Sequence, residues 1–322
     1  MKLKQKYHLT PTITELLIEI EANKKALSLV PIDPHHAEVV RAKSLLKSGL
    51  YSARIEGNPL SFEEYPYSPD KLKKLEVSNL HRTLEWAYQT QKPLTLDLVK
   101  KVHSQAMNNL RSDAGSFRAE TSAIFDSSGN AVYLTPPPEE IVPSLSAIIN
   151  LFYESQDHVL VRIAMFHYQF EKLHPFLDGN GRVGRVITNL LLYTNSYSLM
   201  GSVSLDEEIE NTRSDYYHHL QNEENDLTDL ITYFLECLNN AQNKALKHLT
   251  NNPGPATDHN LTPRRAEILN IIKDHSPCSF DQIKRRFLSV NPRTLHYDLQ
   301  EIKKLGLIKK LGSTRGALYS AT

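Results

Sequence analysis

Cysteine is almost missing from this sequence: Cys237 and Cys278 are the only two in 322 residues. Two cysteines cannot build a disulfide framework, and they are too few for a cysteine-rich metal cluster. We therefore expect both to be free thiols in a reducing compartment, which favours a cytoplasmic location. The first residues, Met1–Thr10, lack the apolar segment that would indicate a signal peptide.

Long apolar runs and a net charge are also missing. No run reaches the length of a membrane span, and the formal net charge is zero, so the whole chain indicates neither a membrane nor a nucleic-acid partner. Charge is nevertheless distributed unevenly. Residues 261–322 contain twelve Lys and Arg against five Asp and Glu, and the rest of the chain is acidic. This difference predicts two modules with different surfaces.

Apolar residues recur at helical spacing through most of the chain, so we predict a mainly α fold. The predicted helices cover residues 13–30, 35–55, 71–90, 95–110, 139–154, 158–173, 182–194, 213–222 and 226–249. Residues 57–70, with three prolines, are predicted to be a loop. The Asn- and Pro-rich stretch Asn251–Pro255 is typical of a linker.

A different pattern occurs between residues 120 and 135. Ala123–Phe125 and Ala131–Leu134 are short β-prone runs on either side of Asp126–Asn130, which contains a Gly-Asn turn. Two such runs around a turn predict a small β-hairpin.

The basic C-terminal segment has its own order of elements. Thr262-Pro263, a capping box beginning at Ser279, and Asn291-Pro292 each indicate the start of a helix. Two short β-prone runs, 307–311 and 317–320, follow around a glycine-containing turn. Three helices followed by a β-wing predict a winged-helix domain.

Many basic residues of this segment fall on its second and third helices and on the wing, which suits contact with DNA phosphates. Arg293, Thr294 and His296 occupy positions where a recognition helix would read bases. A solvated basic face, or a wing that docks a protein, explains the same pattern, and these alternatives stay open. The candidate DNA-binding residues are Arg285, Arg286, Arg293, Thr294, His296, Lys309, Lys310 and Arg315.

The most informative segment is 174–185, which reads His-Pro-Phe-Leu-Asp-Gly-Asn-Gly-Arg-Val-Gly-Arg. Gly179, Asn180 and Gly181 form a flexible run before a predicted helix, where converging N–H groups and the helix N-terminus can bind a phosphate. Arg182 and Arg185 are three residues apart, so both project from one face and can hold successive phosphates.

Two further residues complete this pattern. Asp178, beside the glycines, is a natural Mg²⁺ ligand, and His174 can act as a general base near neutral pH. A base, a metal ligand and an anion cradle together predict phosphoryl or nucleotidyl transfer. A lone histidine or Gly-x-Gly is more often structural, but two arginines at a helix start oppose the helix dipole, which favours a functional reason.

These twelve residues resemble the signature of the Fic (filamentation induced by cAMP) family, His-x-Phe-x-Asp/Glu-Gly-Asn-Gly-Arg-x-x-Arg, at every position. The resemblance extends over residues 40–245, where Gly115–Arg118 and the 120–135 hairpin are similar to the family's flap region. It implies a helical core with a hairpin flap, and transfer of AMP from ATP to a Ser, Thr or Tyr hydroxyl of a protein.

The resemblance also implies a role for each motif residue. His174 would deprotonate the target hydroxyl, and Asp178 would hold Mg²⁺ on the α- and β-phosphates. Asn180 and the backbone amides of residues 179–182 would stabilise the α-phosphate, and Arg185 would pair with the γ-phosphate. Phe176 would anchor the motif in the core.

Other residues are implied at the edges of the site. Ile124 and Phe125 of the flap would hold the target by strand addition. Tyr216-Tyr217 resembles the family's adenine-side tyrosine pair, with core packing as the alternative, and Asn225 would reach the base. The implied ATP-binding residues are Asp178, Gly179, Asn180, Gly181, Arg182, Arg185, Ile124, Phe125, Tyr216, Tyr217 and Asn225.

A glutamate far upstream belongs to the same prediction. Glu56 lies at the end of a predicted helix, where a negative charge opposes the dipole and hints at a partner. The pattern Ser/Thr-x-x-x-Glu-Gly/Asn marks an inhibitory helix in the Fic family, and Ser52–Gly57 fits it. The resemblance implies that Glu56 pairs with Arg185 and blocks the place of the γ-phosphate, with Ser52 facing the same site.

The predicted organisation therefore has four parts. Residues 1–80 form a helical region with an inhibitory helix at about 40–57, residues 81–250 the catalytic core, 251–260 a linker and 261–322 the winged helix. The expected partners are ATP with Mg²⁺, a target protein at the flap, DNA or a protein at the winged helix, and a second copy of the chain in a homodimer. No membrane partner is expected.

Three functions stay open at this point. The first is a self-inhibited protein adenylyltransferase that also modifies itself. The second is a transferase that uses another nucleotide, or a de-AMPylase in which Glu56 aligns water. The third is a DNA-binding regulator whose core only senses nucleotide. Intact His174, Asp178 and Arg185 favour the enzymes over the sensor.

Overall fold

The computed structural model describes residues 6–29, 32, 34–125, 131–221, 226–250, 261–287, 290–312 and 317–321. The chain divides into two compact units, Met1–Pro253 and Gly254–Thr322, and each has its own hydrophobic core. The predicted linker, 251–260, lies outside the described residues. Within the described part of the chain, no helix is both long and apolar enough to cross a membrane.

The first unit is mainly helical, which confirms the predicted fold class. Its helices are α1 (Pro11–Leu29), α2 (Pro34–Ile55), α3 (Lys71–Thr90), α4 (Leu96–Ala106), α5 (Ile141–Glu154), α6 (Val159–Leu173), α7 (Asn180–Thr194), α8 (Leu205–Asn211), α9 (Arg213–Gln221) and α10 (Thr228–Thr250). Side-chain caps fix some of their first turns. The Asp70 carboxylate accepts from two backbone amides of α3, and the Thr95 hydroxyl accepts from Leu98 N in α4.

Helices α6 and α7 form the centre of this unit. Both are buried along most of their length and pack against each other, and α7 also contacts α2, α3 and α4. The burial of α7 on several sides explains the apolar run Leu190–Leu192. The motif at 174–185 spans the connection between these two helices, so the core fixes its position.

A small hairpin lies beside this connection. Strands β1 (Ala123–Phe125) and β2 (Ala131–Leu134) pair antiparallel, with Ala123 opposite Leu134. The buried side chain of Arg118 donates to the carbonyls of Glu120 and Pro136 at the base of the hairpin and to His174 O. One guanidinium therefore ties the hairpin to the motif. The turn 126–130 lies outside the described residues.

The second unit contains three helices and a three-stranded sheet. Its elements are α11 (Pro263–Asp274), β3 (Cys278–Ser279), α12 (Phe280–Arg286), α13 (Pro292–Lys304), β4 (Ile308–Leu311) and β5 (Leu318–Ala321), and the strand order is β3-β5-β4. The capping box at Ser279 starts α12, and the Asn291 side chain caps α13. The sequence analysis did not include β3, a strand of two residues.

Some helix boundaries differ from the predictions, and one helix was not predicted. Helix α7 begins at Asn180 instead of residue 182, because Gly179 caps it in the left-handed region at φ 81°. Helix α4 ends at Ala106 instead of residue 110, and Asn109 takes φ 57° shortly after. Helix α8 was not predicted, since seven residues are too few to show a helical period.

Candidate active site

His174 follows the last turn of α6 in an unusual conformation. Its φ of 50° lies in the left-handed region, where residues other than glycine are uncommon and where strain often marks functional positions. Its Nδ1 lies 3.2 Å from Glu171 O, so a tautomer that donates from Nδ1 leaves Nε2 free to accept a proton. Burial lowers the pKa of His174, and the ring is therefore neutral at pH 7.

The connection after His174 is held by its own side chains. Asn180 Oδ1 accepts from Phe176 N and Asn180 Nδ2 donates to Phe176 O, both at 2.8 Å. The Phe176 ring is fully buried and stacks on His103, with ring centres 3.7 Å apart. Because His103 Nδ1 accepts from Gly115 N, its Nε2 carries the proton and donates to Asp178 O at 3.1 Å. The motif is thus preorganised, and the side chain of Asn180 is engaged with the backbone.

Two glycines leave space at the N-terminus of α7. A Cβ on Gly179 would come within 2.7 Å of Met107 Sδ, and a Cβ on Gly181 would collide with Glu56 Oε1. The space above Gly181, at the positive end of the α7 dipole, is therefore filled by a carboxylate. This is the place where the motif predicts a phosphate.

Arg185 is the residue that holds this carboxylate. Its side chain is 2% exposed, and its Nη2 donates to Glu56 Oε1 at 2.8 Å. Ser52 supplies two further acceptors, Oγ to Nε and the backbone carbonyl to Nη2, both at 2.9 Å. Asp206 Oδ1 lies 3.6 Å from Nε. Burial opposes the charge of Arg185, but the nearby acidic groups, Glu56 first, outweigh burial and raise its pKa.

Arg182 has a different environment from Arg185. Its Nη1 donates to Glu76 Oε1 and its Nη2 donates to Asp178 Oδ1 at 2.7 Å. Asp178 Oδ1 also accepts from Gly179 N at 2.6 Å. The Arg182 side chain is 9% exposed, whereas that of Asp178 is 48% exposed. Asp178 is therefore anchored through one carboxylate oxygen and open to solvent.

This arrangement bears on the predicted Mg²⁺ site. Among the described residues, no group of three or more His, Cys, Asp or Glu could hold a metal ion. Mg²⁺ commonly binds through one or two carboxylates together with substrate phosphates and waters. The half-exposed carboxylate of Asp178 beside a phosphate cradle fits that mode of binding.

Glu171 is a buried acid that the sequence analysis did not single out. Burial raises its pKa to about 8, although the charge of Arg185 acts in the opposite direction. Its Oε1 occupies the space that a side chain on Gly184 would fill. Glu171 is therefore mainly protonated at pH 7 and adds little charge next to His174.

The ring centres of the two tyrosines implied at the adenine side lie 5.3 Å apart, but the two residues differ in burial. Tyr216 is 4% exposed, and its hydroxyl lies 3.0 Å from His167 Nε2, within the core. Tyr217 is 38% exposed and donates to Ile55 O at 3.0 Å, next to Glu56. Of this pair, Tyr217 is the more exposed and is hydrogen-bonded to the end of α2. Asn225 and the side chains of Ile124 and Phe125 lie outside the described residues.

Four supporting residues were missed from the sequence: Glu76, His103, Glu171 and Asp206. Each acts through contacts with residues that are distant in the sequence, and such contacts leave no local pattern. Asp206 even lies in the unpredicted helix α8. The other three occupy buried positions of helices that were predicted.

Most of the candidate DNA-binding residues of the second unit lie on its surface. Arg285, Arg286, Arg293, His296, Lys309 and Lys310 are exposed, and Thr294 is half-buried. The His296 ring stacks on Phe280 with ring centres 3.9 Å apart, so it also joins α13 to α12. Arg315 lies outside the described residues.

Comparison with known sequences identifies the segment that carries the motif. Residues 93–192 match the Fic/DOC family model. A probable protein adenylyltransferase of Aquifex aeolicus is 32% identical over 154 residues, which is 45% of this chain and 46% of the relative. The protein adenylyltransferase Fic of Nematostella vectensis is 23% identical over 241 residues, 69% of this chain and 54% of the relative. The chain thus spans about half the length of these curated relatives.

Solved structures show the same fold. A Fic family protein from Desulfovibrio desulfuricans superposes with a TM-score of 0.72 at 23% identity, covering 98% of this chain and 97% of that one. Fic-1 of C. elegans superposes with a TM-score of 0.60 at 18% identity, covering 74% and 71%. Residues 93–192 therefore match a Fic/DOC domain, within a chain whose fold resembles that of one solved Fic family protein along almost its whole length.

Proposed function

We propose that this chain is a self-inhibited protein adenylyltransferase that transfers AMP from ATP to a Ser, Thr or Tyr hydroxyl of a protein, itself included. The Fic/DOC match and the curated relatives support the reaction class. One observation carries the self-inhibition: the Glu56 carboxylate binds Arg185 directly above Gly181. A carboxylate in that place competes with the phosphates that the cradle would bind.

The residues of the site divide the reaction between them. The hydroxyl oxygen of the target attacks the α-phosphorus, its proton passes to His174 Nε2, and the bond from the α-phosphorus to pyrophosphate breaks. The amides at residues 179–182 stabilise the α-phosphate, and Asp178 would hold Mg²⁺, which would neutralise charge on the phosphates. Arg185, once released from Glu56, pairs with the γ-phosphate and aligns the α-phosphorus with the hydroxyl.

The target would dock on the hairpin. Strands β1 and β2 lie beside the motif because Arg118 joins both to His174 O, and an extended target segment could add to this sheet. The basic residues of the second unit would contact DNA or a protein partner. A cytoplasmic location would supply ATP and agrees with Cys237 and Cys278 being free and buried.

Release of Glu56 tests the proposal. We expect Glu56→Gly to label itself with α-labelled ATP about 10- to 150-fold faster than the wild type, if the hydrogen bond to a charged group is worth about 1.5–3 kcal/mol. Arg185→Ala should be inactive with or without Glu56, because the freed arginine is what the release provides. Glu38→Gln, which removes one negative charge at an exposed position of helix α2, is the control.

Two outcomes would count against this proposal. A folded Glu56→Gly protein that labels no faster than the wild type rules out self-inhibition. If the same variant loses an AMP-removing activity that the wild type has, Glu56 is a catalytic residue of the reverse reaction.

A further inference from the structure

A chain of buried side chains leads from the segment after Glu56 to Asp178. Asn58 Nδ2 donates to Glu76 Oε2 at 2.8 Å and to Lys73 O at 3.1 Å, while Asn58 Oδ1 accepts from Leu60 N. Glu76 Oε1 in turn accepts from Arg182 Nη1, and Arg182 Nη2 donates to Asp178. Asn58, Glu76 and Arg182 are all at least nine-tenths buried. We call these four residues the Asn58–Asp178 chain.

Within the Asn58–Asp178 chain, the contacts of Arg182 limit which further groups its guanidinium can bind. Both Nη atoms already donate to carboxylates, and Nε is buried with no hydrogen-bond partner in the described part of the chain. A guanidinium held between two carboxylates is not free to follow a phosphate. It does fix the orientation of Asp178, whose other contact at this oxygen is Gly179 N.

The charges of the residues in the Asn58–Asp178 chain also affect metal binding. Asp178 paired with Arg182 alone would be a neutral pair and a weak attractor for a cation. Glu76 supplies a second negative charge on the far side of the guanidinium, so the three groups together carry a net charge of −1. The site therefore retains attraction for Mg²⁺ although Arg182 binds its ligand.

We propose that Asn58 and Glu76 are positioning residues that hold Arg182 so that Asp178 presents its open carboxylate oxygen to the metal of a bound nucleotide. The inference rests on the proposed function. It also gives the two motif arginines separate tasks. Arg185 is released when the Glu56 side chain leaves. Arg182 stays fixed, because Asn58, which follows Glu56 by two residues, remains hydrogen-bonded to α3.

The test uses the full chain with Glu56→Gly, in which the cradle is open. ATP binding is measured by calorimetry with Mg²⁺ and with chelator, and the melting temperature of each protein is recorded. We expect Glu76→Gln to reduce the gain in affinity from Mg²⁺ by about 10-fold, the lower end of the effect of removing a direct partner of a metal ligand, because Glu76 acts through Arg182. Metal-free ATP binding should stay unchanged. Glu85→Gln, on an exposed position of the same helix, is the matched control.

The outcomes separate this inference from the proposed function. If Glu76→Gln melts earlier but keeps the full gain from Mg²⁺, Glu76 is only structural and the inference is overturned. If Glu76→Gln does not fold, Glu76→Asp keeps the charge at a shorter reach, and an unchanged gain there overturns it equally. If the parent Glu56→Gly protein gains no affinity for ATP from Mg²⁺, the inference is also overturned. A parent that binds Mg²⁺-ATP but transfers no AMP contradicts the proposed function alone.

Discussion

Burial acts in opposite directions on two titratable side chains near the end of α6. It lowers the pKa of His174 and raises that of Glu171 to about 8, so both groups are mainly neutral at pH 7. The strong charges of the site are left to the two motif arginines and their carboxylate partners. A general base must be neutral to accept the proton of the attacking hydroxyl, and the imidazole of His174 is in that state.

This state of His174 predicts both a loss of activity and a pH profile. In the Glu56→Gly background, His174→Ala should slow AMP transfer by about 10²- to 10⁴-fold and leave ATP binding intact. The rate should be constant around pH 7 and fall only as the pH drops through the lowered pKa of His174, below the ordinary 6.5. Removing Glu56 shifts this limb further to acid, because Glu56 raises the pKa of His174.

Initial rates with α-labelled ATP from pH 5 to 8 provide the measurement. An acid limb at or above pH 6.5 would show that the ring is not held neutral by burial. Full transfer by His174→Ala would remove the histidine from the mechanism.

The short helix α8 is an element that was not predicted from the sequence. It places Asp206 against Arg185, and Asp206 Oδ2 accepts from Asn189 Nδ2 at 2.8 Å. Burial raises the pKa of Asp206, although Arg185 opposes that shift. The buried guanidinium thus has one carboxylate partner from α8 and another just after α2.

Because both partners serve one arginine, their removal should not be additive. We expect Asp206→Asn to destabilise the Glu56→Gly protein more than the wild type, by a coupling of about 0.5–3 kcal/mol. With both acids gone, Arg185 would be a buried charge with no ion pair to a described carboxylate. Urea unfolding of the four proteins measures the coupling. Asp215→Asn, at an exposed position of α9, should instead be additive, and additivity for Asp206 would contradict the shared partnership.

The elements that a local pattern specifies were predicted, and the others were not. The period of apolar residues gave most helices of the first unit, and the two β-prone runs gave the hairpin. The motif at 174–185 gave the cradle, because its glycines and arginines are contiguous in sequence. Contacts such as Glu76 with Arg182 join residues 106 positions apart, and packing alone brings them together.

The partners of the two motif arginines, Arg182 and Arg185, likewise could not be predicted from the sequence. Their spacing suggested one shared task, since residues three apart lie on one helix face. The structure gives Arg182 carboxylates from α3 and from the motif itself, and gives Arg185 those of Glu56 and Asp206. Which partner each arginine meets is set by tertiary packing.

At the level of the whole molecule, two units with separate cores predict separable functions. Leu295, Leu299 and Ile302 belong to the core of the second unit, and the motif residues lie in the first. We expect deletion of residues 256–322 to leave self-labelling of a Glu56→Gly protein close to that of the full chain, because the first unit keeps its core. The range of labelled lysate proteins should change if the second unit selects partners.

Labelling of a cell lysate by the full and truncated proteins, read on one gel, compares both properties. A truncated protein that is folded but does not label itself would assign the second unit to catalysis. An unchanged set of labelled proteins would remove it from partner selection.

The clamp of Asn180 on Phe176 has a consequence for conformational entropy. Ordering one residue costs roughly 1–2 kcal/mol, so fixing the five residues of a loose 175–179 connection on binding would oppose a ligand by roughly 5–10 kcal/mol. Here the loss occurs during folding, because Asn180 satisfies both backbone groups of Phe176 from within the chain. Nucleotide binding then needs only the departure of one carboxylate side chain, and the Phe176 amide should exchange slowly with deuterium before any nucleotide is present.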